Sequence, residues 1–93
     1  MNIPNVRNME SPRTGKPVAN QYIIDDGKNT FFQSYKTIIA MYPNYDDRKI
    51  TLDENSWDYS VTTGKYRNMF LNETKKETEK KIASGEYKLA NLN

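Results

Sequence analysis

The chain has no cysteine and no histidine. The first absence excludes disulfides, thiolate metal sites and thiol nucleophiles. The second removes the commonest metal ligand and the side chain that most readily moves protons near neutral pH. Acid-base work would fall to carboxylates alone, and no catalytic signature is present, so neither an enzyme nor a cofactor is expected. Long apolar runs are missing too. None approaches the roughly 18 to 20 residues of a membrane helix, and the amino terminus lacks the apolar core of a signal peptide, so no membrane association is expected. A strong charge of one sign is also lacking. The net charge of +2 comes from 14 basic against 12 acidic residues, a weak bias beside dedicated nucleic-acid binders.

What remains is a small domain with many rings. Ninety-three residues suit a single α+β domain spanning 1–93, which buries a smaller fraction of its surface than a larger protein does. Seven tyrosines, three phenylalanines and one tryptophan carry much of the packing. Aromatic-rich strands in so small a chain also suggest a core completed by a second copy, a homodimer. Acidic pairs fall at Asp25-Asp26, Asp46-Asp47 and Asp53-Glu54, whereas Lys65, Arg67, Lys75, Lys76, Lys80, Lys81 and Lys88 gather in the last third. Any positive patch would lie there.

Along the chain, Ile3 to Met9, interrupted by Pro4, reads as an edge strand, where proline is tolerated. SPRTGKP is a loop or hairpin connection. Val18 to Asp25 reads as a strand, Asp26-Gly27 as a hairpin turn and TFFQSY as the return strand. Alternation puts Phe31, Gln33 and Tyr35 on one face of that strand and Phe32 and Ser34 on the other. A tight turn near Ser34 to Thr37 leads into the apolar strand Thr37 to Tyr42. RKITLD then alternates with Ile50 and Leu52 inward and Lys49 and Thr51 outward. The expected architecture is an antiparallel β-meander of four to six strands with one packed helix and a second, polar helix near the carboxyl end.

The packed helix runs from about Ser60 to Leu71. At about 100° per residue, Tyr59, Thr62, Tyr66, Met69 and Phe70 share an inward face, while Gly64 and Asn68 look away, flanked by Lys65 and Arg67. Ser60, Thr62 or Thr63 caps it. Trp57 reads as a core or helix-entry anchor. The second helix is signalled by the capping box Thr74-Lys-Lys-Glu77 and stopped by Gly85. EYKLANL ends the chain as a strand alternating Tyr87, Leu89 and Leu92, or as an extended tail.

The segments NQYII, FFQSYKTIIA, LDENSWDYSVTTGKYRNMFL and KKIASGEYKLANLN, in this order, resemble a family of small uncharacterised domains found in bacteriophages and bacterial mobile elements. The resemblance runs from about Val6 to Asn93 and rests on an Asn-Gln at Asn20 and Gln21, a Phe-x-Ser-Tyr strand at Phe32 to Tyr35, the block Trp57 to Tyr66 and the ending Ser84 to Tyr87. It implies a phage source, hence the cytoplasm of a bacterial host, and almost no mechanism.

Two partner classes fit these residues. Aromatics that stack on bases and cations that neutralise phosphates make a sequence-tolerant single-strand binder. Tyr22, Phe31, Tyr35, Lys49, Lys65 and Arg67 supply those types, and Asn68 joins Lys65 and Arg67 if the helix itself reads a duplex. The bland alternative makes the rings core and the lysines ordinary surface. The second class is a host protein, with this chain acting as an inhibitor or modifier of a host enzyme or defence system, because Tyr, Trp and Arg dominate interface hot spots. Asp53, Glu54 and Asp58 form an acidic cluster of the kind that holds a hard cation, but acids at turns and helix entries usually cap and solvate.

Overall fold

The computed structural model describes residues 3–93. Six strands, β1 (Asn5–Glu10), β2 (Pro17–Asp25), β3 (Asn29–Ser34), β4 (Thr37–Pro43), β5 (Thr51–Asp53) and β6 (Lys88–Ala90), form one sheet in chain order. The helices α1 (Val61–Leu71) and α2 (Lys75–Ala83) lie between β5 and β6. The first five strands make the expected antiparallel meander, while β6 runs parallel to β5, because a crossover through two helices returns the chain in its original direction.

Local chemistry sets the turns. Between β2 and β3, Asp26 Oδ1 accepts from the amides of Lys28 and Asn29 at 2.9 and 2.8 Å, and Gly27 takes a φ of 92°. Ser60 caps α1 by accepting from the Thr63 amide, and Asn72 ends it in the left-handed region. Thr74 and Glu77 form the capping box of α2.

Directly paired residues point to one side of a sheet, so the register sorts the two faces. Ile23, Phe32, Ala40 and Leu52 form one row. This row meets the helices: Phe32 lies 5.8 Å from Phe70, and Ser34 Oγ is 3.0 Å from Thr63 Oγ1. The core consists of Met9, Phe32, Ile39, Ala40, Leu52, Tyr66 and Tyr87. The opposite row is Val6, Ile24, Phe31, Met41, Thr51 and Lys88. No described helix covers it, and the 20 Å thickness of the 35 × 35 × 20 Å molecule fits one sheet plus one helical layer.

Two details depart from the sequence reading. Thr51, expected outward into solvent, is buried on the uncovered face, since β5 has neighbours on both sides. The inward face of α1 is rotated by roughly a quarter turn from the hydropathy phase. It buries Thr63, Gly64, Tyr66 and Arg67, while Thr62, Tyr59 and Met69 are exposed. Thr63 is satisfied by Ser34, and the Arg67 guanidinium lies beside Gly64, at an ordinary contact distance from where a Cβ would stand.

Candidate functional site

The residues named from sequence separate onto two sides of the molecule. Tyr22, Phe31 and Tyr35 stand together on the uncovered sheet face. Tyr22 pairs with Gln33, and Phe31 with Ile24, so the side chains of β2 and β3 form adjacent rows there. Tyr35 follows Ser34 in the two-residue connection to β4 and is 53% exposed. With Val6, Asn20, Tyr22, Ile24, Gln33, Lys36 and Thr37 it lines a groove of about 770 Å³. Further along the same face a smaller groove is lined by Met41, Arg48, Lys49, Thr51 and Lys88.

Every charged residue lining these two grooves is a cation: Lys36 in the first, Arg48, Lys49 and Lys88 in the second. Arg48 is partly neutralised by Asp46 at 2.9 Å, whereas no ion pair among the described residues involves Lys36, Lys49 or Lys88. Lys49 Nζ donates to the carbonyl of Gly85, which orients its stem without removing its charge.

The helical cations lie elsewhere. Lys65 is exposed on α1, on the opposite side of the sheet, with its Nζ 5.4 Å from the Tyr66 ring centroid. Arg67, expected outside, is 1% exposed. Its guanidinium lies over Trp57 at 5.2 Å and donates to the Trp57 carbonyl at 2.7 Å, to Asp58 at 3.2 Å and to Asn68 Oδ1 at 3.0 Å. The hydrogen bond from Lys75 holds the Asp58 carboxyl below its usual range against the opposing effect of burial, with Arg67 contributing further. Arg67 is therefore a clamp between the helix entry and α1, and Asn68 is one of its acceptors. Within the described residues neither is presented to a ligand on the sheet face.

The block Trp57 to Arg67 resolves mainly into architecture: a cap at Ser60, a core hydroxyl at Thr63, Gly64 packed beside the guanidinium and the clamp at Arg67. The acidic cluster disperses similarly. Asp53 is buried and accepts from the Leu92 amide at 2.9 Å, while Asp58 is ion-paired.

Sequence reasoning missed Lys36 and Arg48, and it grouped Lys88 with the helical cations rather than with the sheet. Lys36 had a signal, since it adjoins Tyr35 in a tight connection. The place of Lys88 opposite Thr51 had none, because it follows from a parallel pairing that only the tertiary crossover produces.

The chain belongs to a family of unknown function (DUF8033), whose model matches residues 5–85. That span contains β1 to β5 and both helices. No curated protein and no solved structure matches the chain significantly.

Proposed function

We propose that this chain is a non-enzymatic binding protein of phage or mobile-element origin, acting in the cytoplasm of a bacterial host, that takes single-stranded nucleic acid on the uncovered face of its sheet. The observation that carries this reading is that Tyr22 and Tyr35 line a groove on the sheet face that also bears Phe31, and that the only charged lining of the two grooves there, among the described residues, is cationic. Rings offer sequence-tolerant stacking, and lysines offer phosphate neutralisation. A strand crossing from the Lys36 end to the Lys49 and Lys88 end meets both.

The test is titration of a labelled oligonucleotide of about 15 residues at low salt, a length in the range that single-strand binders cover. Binding tighter than about 100 μM is expected, and its absence refutes the reading, being weaker than ordinary nonspecific affinity. Removing both Lys49 and Lys88 by alanine substitution lowers the slope of log K against log salt by roughly 1.4, at about 0.7 per phosphate contact on a single strand. Lys65→Ala leaves it unchanged.

Val6, Ile24 and Met41 on the same face favour one second reading, a host protein docked there and inhibited or modified by this chain. Its signature is failure of all oligonucleotides together with stoichiometric recovery of one host protein after nuclease treatment.

A further inference from the structure

The larger groove has the dimensions and chemistry of a site for one monomer unit. Its volume of about 770 Å³ falls within the range of about 300 to 1,000 Å³ typical of ligand pockets. Its walls are apolar or aromatic, from Val6, Ile24, Tyr22 and Tyr35, and its polar lining is Asn20, Gln33 and Thr37. Among the described residues, Lys36 is its only charged lining residue. A planar ring with an N–H on its edge and an anion attached matches that set.

Two further observations sharpen the match. Gln33 Nε2 donates to the Tyr35 carbonyl at 2.7 Å. Only the amide nitrogen can stand that close to a carbonyl oxygen, so the Gln33 side chain is oriented and its Oε1 is left as an acceptor. An amino or imino group on a base edge satisfies it. Asn20 and Tyr35 are both in the left-handed backbone region, at φ 68° and 57°, and they are joined by a 2.7 Å bond from the Tyr35 amide to the Asn20 carbonyl. Asparagine tolerates this region, but a bulky aromatic there is an outlier at a position where glycine sits without strain. Strained residues of this kind cluster at ligand sites.

We infer that this groove is a nucleotide site, in which one base lies against Tyr22 and Tyr35 with its edge toward Gln33 and its phosphate toward Lys36. The inference rests on the single-strand reading above, and it adds that a free mononucleotide binds the same place.

The experiment is an NMR titration of the whole chain with adenosine 5′-monophosphate and cytidine 5′-monophosphate, alongside adenosine and ribose 5-phosphate. Saturable shifts at the amides of Asn20, Gln33, Tyr35 and Lys36 are expected for the nucleotides, with both fragments at least tenfold weaker. Tyr35→Gly removes the ring and relieves the backbone, so it retains the folded spectrum and weakens nucleotide binding at least tenfold. Lys36→Ala does the same for the nucleotide and leaves adenosine unaffected. Ribose 5-phosphate binding as well as the nucleotide, shifts confined to the Lys65 and Lys75 side, or undiminished affinity in Tyr35→Gly each overturns the site. Oligonucleotide binding without any mononucleotide response also overturns it while sparing the wider reading. Failure of both ligands removes the two together.

Discussion

Arg67 offers the sharpest quantitative test of the arrangement of α1. Arg67→Ala removes the donor to the Trp57 carbonyl, the bonds to Asp58 and Asn68 and the contact over the Trp57 ring, and it opens a void beneath Gly64. Orphaning the partly buried Trp57 carbonyl costs about 1 to 3 kcal/mol. Losing the ring contact removes about 0.5 to 2 kcal/mol more. Asp58 keeps Lys75 at 2.7 Å and is one-third exposed, so its carboxylate is not stranded and the full penalty of about 3 to 5 kcal/mol for breaking a buried pair is not added. The expected loss is about 3 kcal/mol, a large share of the roughly 5 to 14 kcal/mol that about 0.05 to 0.15 kcal/mol per residue implies for a chain of this length. Urea unfolding followed by Trp57, the only tryptophan, reads this directly. At a slope of about 1.5 kcal/mol/M the midpoint falls by about 2 M. Arg67→Met retains much of the stem and removes an Nε that has no hydrogen-bond partner, so it costs less than alanine. A loss below about 0.5 kcal/mol in Arg67→Ala, equal to that of Lys65→Ala, refutes the clamp and returns Arg67 to the solvent.

Gly64→Ala should stabilise the protein by about 0.5 to 1 kcal/mol in the same assay, because a Cβ there meets Arg67 Nη2 at an ordinary 3.6 Å and glycine is a poor helix former; destabilisation would show that the guanidinium needs the gap. The Glu73 side chain is 3% exposed and accepts from Thr78, Lys81 and Tyr87. Burial pushes its carboxyl up, but the hydrogen bonds from Lys81, Thr78 and Tyr87 outweigh that and hold it below its ordinary 4.5. A depressed carboxyl stabilises fully above the unfolded value and loses that contribution as pH falls through the folded one. Acid unfolding below about pH 4.5 should therefore be shallower in Glu73→Gln, which also loses about 1.5 to 3 kcal/mol at neutral pH. The Tyr87 hydroxyl is pushed up to about 12 by burial, then by its bond to Glu73. Its stabilisation is complete below pH 10 and fades as pH rises toward 12, and a phenolate difference spectrum against Tyr87→Phe should show that late transition.

Period and punctuation carried most of the fold. The Asp26-Gly27 turn, the alternation from Phe31 to Ser34 and the Thr74 capping box each depend on neighbours within a few residues, so they were legible in the chain and recur in the structure, whereas Tyr35, expected to continue the alternation, lies in the turn beyond β3. The phase of α1 was not legible in the same way. The helical period put Thr62 inward and Gly64 outward beside Arg67, yet Thr63, Gly64 and Arg67 face inward, with Ser34 satisfying the threonine and the Trp57 carbonyl and ring satisfying the arginine. Those partners are distant in sequence or lie on an irregular lead-in, so no local pattern announces them. The same error of phase put Arg67 outward as a candidate phosphate contact, whereas it is buried, and α1 covers the sheet face opposite Phe31.

That one face stays uncovered follows from size. Helices of 11 and 9 residues, each about 10 Å across, cannot wrap both sides of a six-stranded sheet about 35 Å wide. The composition of the bare face does not follow from size. An antiparallel sheet facing water ordinarily alternates to polar residues on that side. Here the row reads Val6, Ile24, Phe31 and Met41, with Tyr22 beside it and Val6 56% exposed. Threonine, glutamate or lysine at those positions would have matched the strand period equally well without exposing apolar surface to water. A contiguous apolar and aromatic surface bordered by unpaired lysines costs solubility in a free monomer, and a ligand that brings rings and negative charge removes that cost.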